Sequence, residues 1–172
     1  MVREPVLQCT AYIFYKRVLK GLGVMSEISW KILWYEYVAD AYLYGSKIIF
    51  HNPEDVEFIN GMMPPGKVIK TWHSMVNFQA KRIEPTLPLI DGERRYHIAV
   101  DFAEEDNPGI LFRLVFYDRY ENEVESLVLR EKEMDFRCPL KTYSYKIELI
   151  NAGAEKFHFH SFTLTEYANE NE

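Results

Sequence analysis

The sequence predicts an all-β protein, two antiparallel sheets packed face to face as a β-sandwich or jelly roll. Three observations carry that prediction. After Met25, apolar and polar residues alternate with a period of two; the breaks between alternating runs have turn chemistry; and no segment beyond the first 24 residues sustains helical spacing. Parallel strands need crossover helices to join them, so a parallel α/β arrangement fails, and about ten short strands suit a sandwich.

The elements follow in order. Residues 1–24, with "YKRVLKGLG", differ from the rest and read as an N-terminal arm, either a short helix or unstructured, with Met25 as an alternative initiator. Residues 25–167 read as one sandwich domain, and 168–172 as an acidic tail. Candidate strands are 31–37, 42–50, 54–59 and 66–73. "ERRYHIAVDF" is the clearest, with Tyr96, Ile98, Val100 and Phe102 on one face and Glu93, Arg95, His97 and Asp101 on the other. "GILFRLVFYD" is apolar on both faces apart from Arg113, as a central strand should be. Strands at 123–129 and 133–137 precede "TYSYKIELI", which puts Tyr143, Tyr145, Ile147 and Leu149 inward and Ser144, Lys146 and Glu148 outward. The last candidate is 156–166. Between these runs, Pro64-Pro65-Gly66 suits a type II turn, while 118–123 and Asn151-Ala152-Gly153 suit hairpin connections.

Composition bounds the function. A chain of 172 residues, 48% hydrophobic with 12 Tyr and 11 Phe, can bury a core without disulfides or metals. A net charge of −6, with Lys16-Arg17 and Lys20 as the one basic cluster, argues against nucleic acid. No apolar run approaches the ~20 residues of a membrane helix. The stretch 6–15 has the wrong flanking charges for a signal peptide, and Cys9 and Cys138 read as reduced thiols, so the expected location is cytoplasmic.

Chemical candidates are few. His158 and His160, spaced to share one face of a strand, supply two ligands where zinc needs three or four. They also lack the spacing of the cupin motif. Phe157 and Phe159 against Phe162 and Leu164 imply a bulge near Ser161, with the imidazoles on the wetter face, and no metal is expected. His51, His73 and His97 complete a site only if the fold gathers them. There is no Gly-x-Ser-x-Gly elbow, phosphate-binding glycine loop or His-Glu-x-x-His, and no two carboxylates are singled out, so no enzyme and no cofactor are expected. Two stretches suit recognition. Trp72 followed by His73, Asn77, Gln79 and Arg82 has the ring, amides and guanidinium of a sugar site, although the favoured reading has Trp72 plugging the sandwich and the amides closing loop backbone. Tyr117, Asp118, Arg119 and Tyr120 crowd a hairpin, where the Asp also serves to close the turn. Met62-Met63 is either buried filler or a contact patch.

"YLYGSKIIF", "MPPGKVIKTWHSMVNFQAKRIEPTLPLI", "FYDRYENEV" and "YSYKIELINAGAEKFHFHSF", in this order over about 40–165, resemble the third accessory secretory protein of the accessory Sec system. That system exports serine-rich-repeat adhesins in streptococci, staphylococci and lactobacilli. The motif positions are Pro64, Pro65, Gly66, Trp72, Asn77, Gln79, Arg82, Pro88, Asp118, Arg119, Tyr120, Asn151, Gly153 and His160; the stretch before Met25 departs from the family. The resemblance implies a non-catalytic cytosolic component, peripheral at the membrane through the translocase, with a fold similar to carbohydrate-binding modules. Its implied partners are the other two accessory secretory proteins, the accessory Sec motor ATPase and the adhesin preprotein with its GlcNAc- or glucose-type glycans, and a homo-oligomer is compatible with it. A stand-alone carbohydrate-binding module is the alternative.

Overall fold

The computed structural model describes residues 12–20, 23–36, 40–77, 83–104 and 108–167. Among them there is no helix, and eleven strands form two antiparallel sheets. The strands are β1 (Tyr12–Lys20), β2 (Gly23–Ile32), β3 (Lys47–Asn52), β4 (Asp55–Ile59), β5 (Val68–His73), β6 (Arg95–Phe102), β7 (Ile110–Tyr117), β8 (Glu123–Leu129), β9 (Glu133–Arg137), β10 (Ser144–Asn151) and β11 (Lys156–Glu166). The smaller sheet runs β5-β10-β7-β8. The larger is organised by the long β11, which pairs with β4 over Lys156–Phe159, with β2 over Phe162–Glu166 and with β6 from Phe159 onward. β1, β3 and β9 extend it through β2, β4 and β6.

The expected boundaries of β8, β9 and β11 match, whereas the front of the chain differs. Residues 12–20 are neither a helix nor an unstructured arm but β1, paired with β2 from Tyr12↔Lys31 to Lys20↔Gly23. Their Tyr, Ile, Phe and Val content favours strand, yet the apolar residues do not alternate, so no periodicity announces them. The strand expected at 31–37 starts earlier and ends at Ile32, and that expected from 42 starts at Lys47, after a turn closed by Ser46 N–H on the Leu43 carbonyl. Residues 1–11 and the tail 168–172 lie outside the described residues.

The core lies between the sheets. Trp72, Phe112, Leu114, Phe116, Tyr145 and Ile147 of the smaller sheet meet Phe58, Ile98, Phe157, Phe159 and Phe162 of the larger. Tyr143, expected inward, is instead 53% exposed one residue before β10. On the outer face of the smaller sheet, Glu148 receives Arg113 and Lys146 at 2.5 and 2.7 Å. Burial pushes its carboxyl up, but the two cations outweigh that and leave it below the usual range.

The turns obey their residues. Lys67 N–H donates to the Pro64 carbonyl across Pro65-Gly66, and Gly66 has φ 87°, the type II arrangement. Buried Asn151 ties this turn to the β10–β11 connection: its side-chain amide donates to the Met63 carbonyl at 2.8 Å, and its Oδ1 accepts Gly153 N–H at 2.9 Å. Gly109 (φ 87°) packs so closely that a Cβ would lie 2.9 Å from the Ala154 nitrogen.

Candidate functional site

Trp72 is not a sugar platform. It is 1% exposed, donates Nε1–H to the Leu33 carbonyl at 3.0 Å, and is ringed by Trp34, Phe112, Phe159 and Phe162 at centroid distances of 6.3, 6.3, 5.6 and 5.1 Å. The reason is register: Trp72 lies opposite Ile147 of β10, whose side chain faces the core. His73, beside it, faces the other way and meets Asp40 at 2.6 Å. Segment 40–42 lies along β5, through an Ala41↔Lys70 bridge and bonds from Tyr42 and Thr71 backbone N–H, and so covers part of that sheet edge. Lys70 is 1% exposed, and burial pushes its ammonium down to about 8 despite the attraction of Asp40. Asn77 is exposed; Gln79 and Arg82 lie outside the described residues.

The second predicted cluster separates into frame and tip. Asp118 closes its own turn, with Oδ1 accepting Tyr120 N–H at 2.8 Å and Asn122 N–H at 3.0 Å. The Asn122 side-chain amide, with these backbone donors, holds its carboxyl below the usual range. Tyr117 is half-buried beneath the Lys146 ammonium. Arg119 and Tyr120 are exposed, and the Arg119 guanidinium stands 6.0 Å over the Tyr143 ring. Tyr120 is 79% and Tyr143 53% exposed, so both rings lie open at this end of the sheet.

The histidine pair does not converge. His160 is the extra residue where the β11–β6 register shifts between Phe159 and Ser161, the bulge that the flanking phenylalanines imply, and its Nδ1 reaches Asp101 at 3.4 Å. His158 meets a residue the sequence does not bring near it. Its ring lies nearly parallel to that of His51, with centroids 5.7 Å apart and planes 11° apart, and its Nδ1 bonds Asp55 at 2.8 Å. His51 falls at a second bulge, between Phe50 and Asn52, and bonds Glu57 at 2.8 Å. The other Glu57 oxygen takes Lys156 at 2.7 Å. Lys156 first, then His51, hold its carboxyl down to about 2. No local signal marks His51, Asp55 and Glu57 as partners of β11, because a bulge shifts phase without changing the sequence period.

Exposed apolar side chains gather on connections. Leu43, Tyr44 and Met62 are 71, 83 and 88% exposed, and Asn60 holds their two loops together by donating to the Tyr44 carbonyl and accepting Met62 N–H. The Met pair divides, Met63 buried and Met62 exposed. Near the edges of β8 and β9 lies a cleft of about 420 Å³ lined in part by Leu127, Met134, Phe136 and Cys138. Burial raises the Cys138 thiol above its ordinary range. Among the described residues, no helix is long and apolar enough to cross a membrane.

Known proteins share this sequence and fold. The family profile described as "Accessory Sec secretory system ASP3" matches residues 41–166. The chain is similar to the accessory Sec system protein of that same designation from Streptococcus gordonii, 40% identical over 129 residues that make up 75% of this chain and 81% of that one. A chain in the structure of accessory secretory proteins 1, 2 and 3 of Streptococcus pneumoniae matches with TM-score 0.73 and 31% identity, over 78% of this chain and 94% of that chain. One in the Glycosylation Associate Protein (Gap123) complex of Streptococcus agalactiae matches with TM-score 0.72 and 33% identity, over 79% of this chain but 44% of that chain. With a profile spanning most of the sandwich and a relative this close, the chain belongs to the accessory Sec secretory system ASP3 family.

Proposed function

We propose that this chain is a non-catalytic adaptor of the accessory Sec system. It binds the other two accessory secretory proteins, the accessory motor ATPase and the serine-rich-repeat adhesin preprotein, at the cytoplasmic face of the membrane. The observation that carries this reading is that relatives covering most of this fold were solved inside multi-protein accessory complexes. The surface supports it: Leu43, Tyr44 and Met62 form an exposed apolar tip, and such tips on a polar rim suit protein contacts. The chain is expected to co-elute with its two sister proteins when all three are co-expressed. Tyr44→Asp with Met62→Asp should weaken that complex about tenfold or more, as loss of interface anchors does. Elution of the wild-type chain alone, with adhesin export intact in its absence, refutes the adaptor reading.

A second contact, with the preprotein's sugars, is favoured by the Arg119–Tyr120–Tyr143 surface, which offers open rings beside a guanidinium where Trp72 offers none. Titration with N-acetylglucosamine and glucose, read by chemical shifts, should perturb this surface and fail in Tyr120→Ala/Tyr143→Ala. Shifts absent from wild type, or unchanged in the variant, remove the glycan contact and leave the adaptor reading standing.

A further inference from the structure

We propose that His51, Asp55 and His158 form a divalent-metal site of the zinc type on the outer face of the larger sheet, clipping the β3–β4 hairpin to β11. One donor atom from each of the three lies within 4.8 Å of the others. The ring spacing is close to what one ion requires, while the near-parallel planes, 11° apart, must turn for both in-plane lone pairs to meet at it. Two imidazoles bound at about 2.0–2.1 Å to a tetrahedral zinc have ring centres roughly 5 Å apart, and these are 5.7 Å apart. Closing the remaining gap takes side-chain rotation at a half-exposed surface, without moving the core. Two imidazoles and one carboxylate suit zinc, and they leave the fourth tetrahedral position to water.

The surroundings are built for a cation. Glu57 Oε2 sits 2.8 Å from His51 Nε2, the carboxylate-on-histidine contact that fixes the ring of a metal ligand and leaves its other nitrogen free to coordinate. His158 is fixed from behind, because its backbone N–H donates to Glu104 Oε1 at 3.0 Å. The other Glu104 oxygen is buried with no hydrogen-bond partner among the described residues. Lys156 pairs with Glu57, and Lys132 donates to the Glu104 backbone carbonyl. On binding, the ring proton at His158 Nδ1 moves through solvent to Nε2, which lies 3.8 Å from Glu57 Oε1, and the ion takes its place beside Asp55. His160 takes no part, since the bulge turns it to Asp101.

The test uses the full chain, without a histidine tag, titrated with ZnCl₂ by calorimetry and with CoCl₂ by visible absorption. Wild type should take up one equivalent of zinc and show the intense visible bands of tetrahedral cobalt, with a raised melting temperature in zinc. His51→Ala and His158→Ala should each weaken uptake about 100-fold or more and abolish the cobalt bands. Glu57→Gln should weaken uptake about tenfold, and His160→Ala should leave it unchanged. His51, His158 and His160 are exposed or half-exposed, and Glu57→Gln keeps the shape of the buried Glu57 side chain, so circular dichroism should show each variant folded. Absent saturable binding by folded wild type, binding that survives both histidine variants, or an equal loss in His160→Ala overturns the site.

Discussion

Trp72→Ala tests most directly whether the aromatic heart of this domain is scaffold or ligand surface. Trp72 heads the fully buried side chains by volume, and its ring bridges the sheets between Phe112 on one side and Phe159 and Phe162 on the other. Truncating a buried Trp to Ala costs about 3–5 kcal/mol, toward the upper end where rigid neighbours cannot collapse into the space. The Leu33 carbonyl also loses the Nε1–H donor, a buried acceptor left short at a cost of about 1–3 kcal/mol, part of which the alanine figure already contains. Together these predict a loss of about 5 kcal/mol, from a total that for such domains is about 5–15 kcal/mol. At about 2–4 °C per kcal/mol for this size, the melting temperature should fall by roughly 10–20 °C. Trp72→Phe keeps most of the ring and loses the hydrogen bond, so it should cost about 2 kcal/mol. Urea unfolding followed by circular dichroism measures both. A Trp72→Ala protein within about 1 kcal/mol of wild type, with sugar binding selectively lost, refutes the placement of Trp72 in the core. Loss of binding in an unfolded variant is no support for a platform.

Three further substitutions test the frame. Lys70 is protonated in both states below pH 8, where the folded state bears the desolvation; between about 8 and the unfolded value of 10.5 the unfolded chain holds more of the proton, so stability rises with pH. Lys70→Met should therefore stabilise by up to about 3 kcal/mol at pH 7, with the advantage over wild type shrinking toward pH 10.5, measured by urea midpoints across pH; a destabilised variant, or a gain that ignores pH, contradicts this. Gly109→Ala should cost about 2–3 kcal/mol, because its Cβ would meet the Ala154 nitrogen at 2.9 Å on a φ of 87°. Gly61→Ala, with nothing within 4 Å, should fall within about 0.5 kcal/mol of wild type, and equal melting temperatures for the two variants would undo the argument.

Much of the fold is local chemistry and was therefore legible along the chain. Alternation in 95–102 and 144–151 assigns the inward residues of β6 and β10 correctly, because a strand points side chains up and down in strict turn. The Pro-Pro-Gly turn and the Asp118 turn are closed by their own residues. The bulge at His160 was also readable, from the phenylalanines that change face across it. β1 was not, since its residues lack alternation and its strand is defined by pairing with β2.

What the sequence by itself determined is the period: which residues alternate, where the chain turns, and hence a two-layer antiparallel body with its aromatics inside. Tertiary structure decided that Trp72 faces the opposite sheet and not solvent, that Tyr44, Tyr120 and Tyr143 are left exposed, and that His158 meets His51 and Asp55 while His160 turns away. The physical reason is the same in each case. Alternation says that two faces differ but is blind to which strand lies alongside, and a single bulged residue re-aims a side chain across that unseen neighbour.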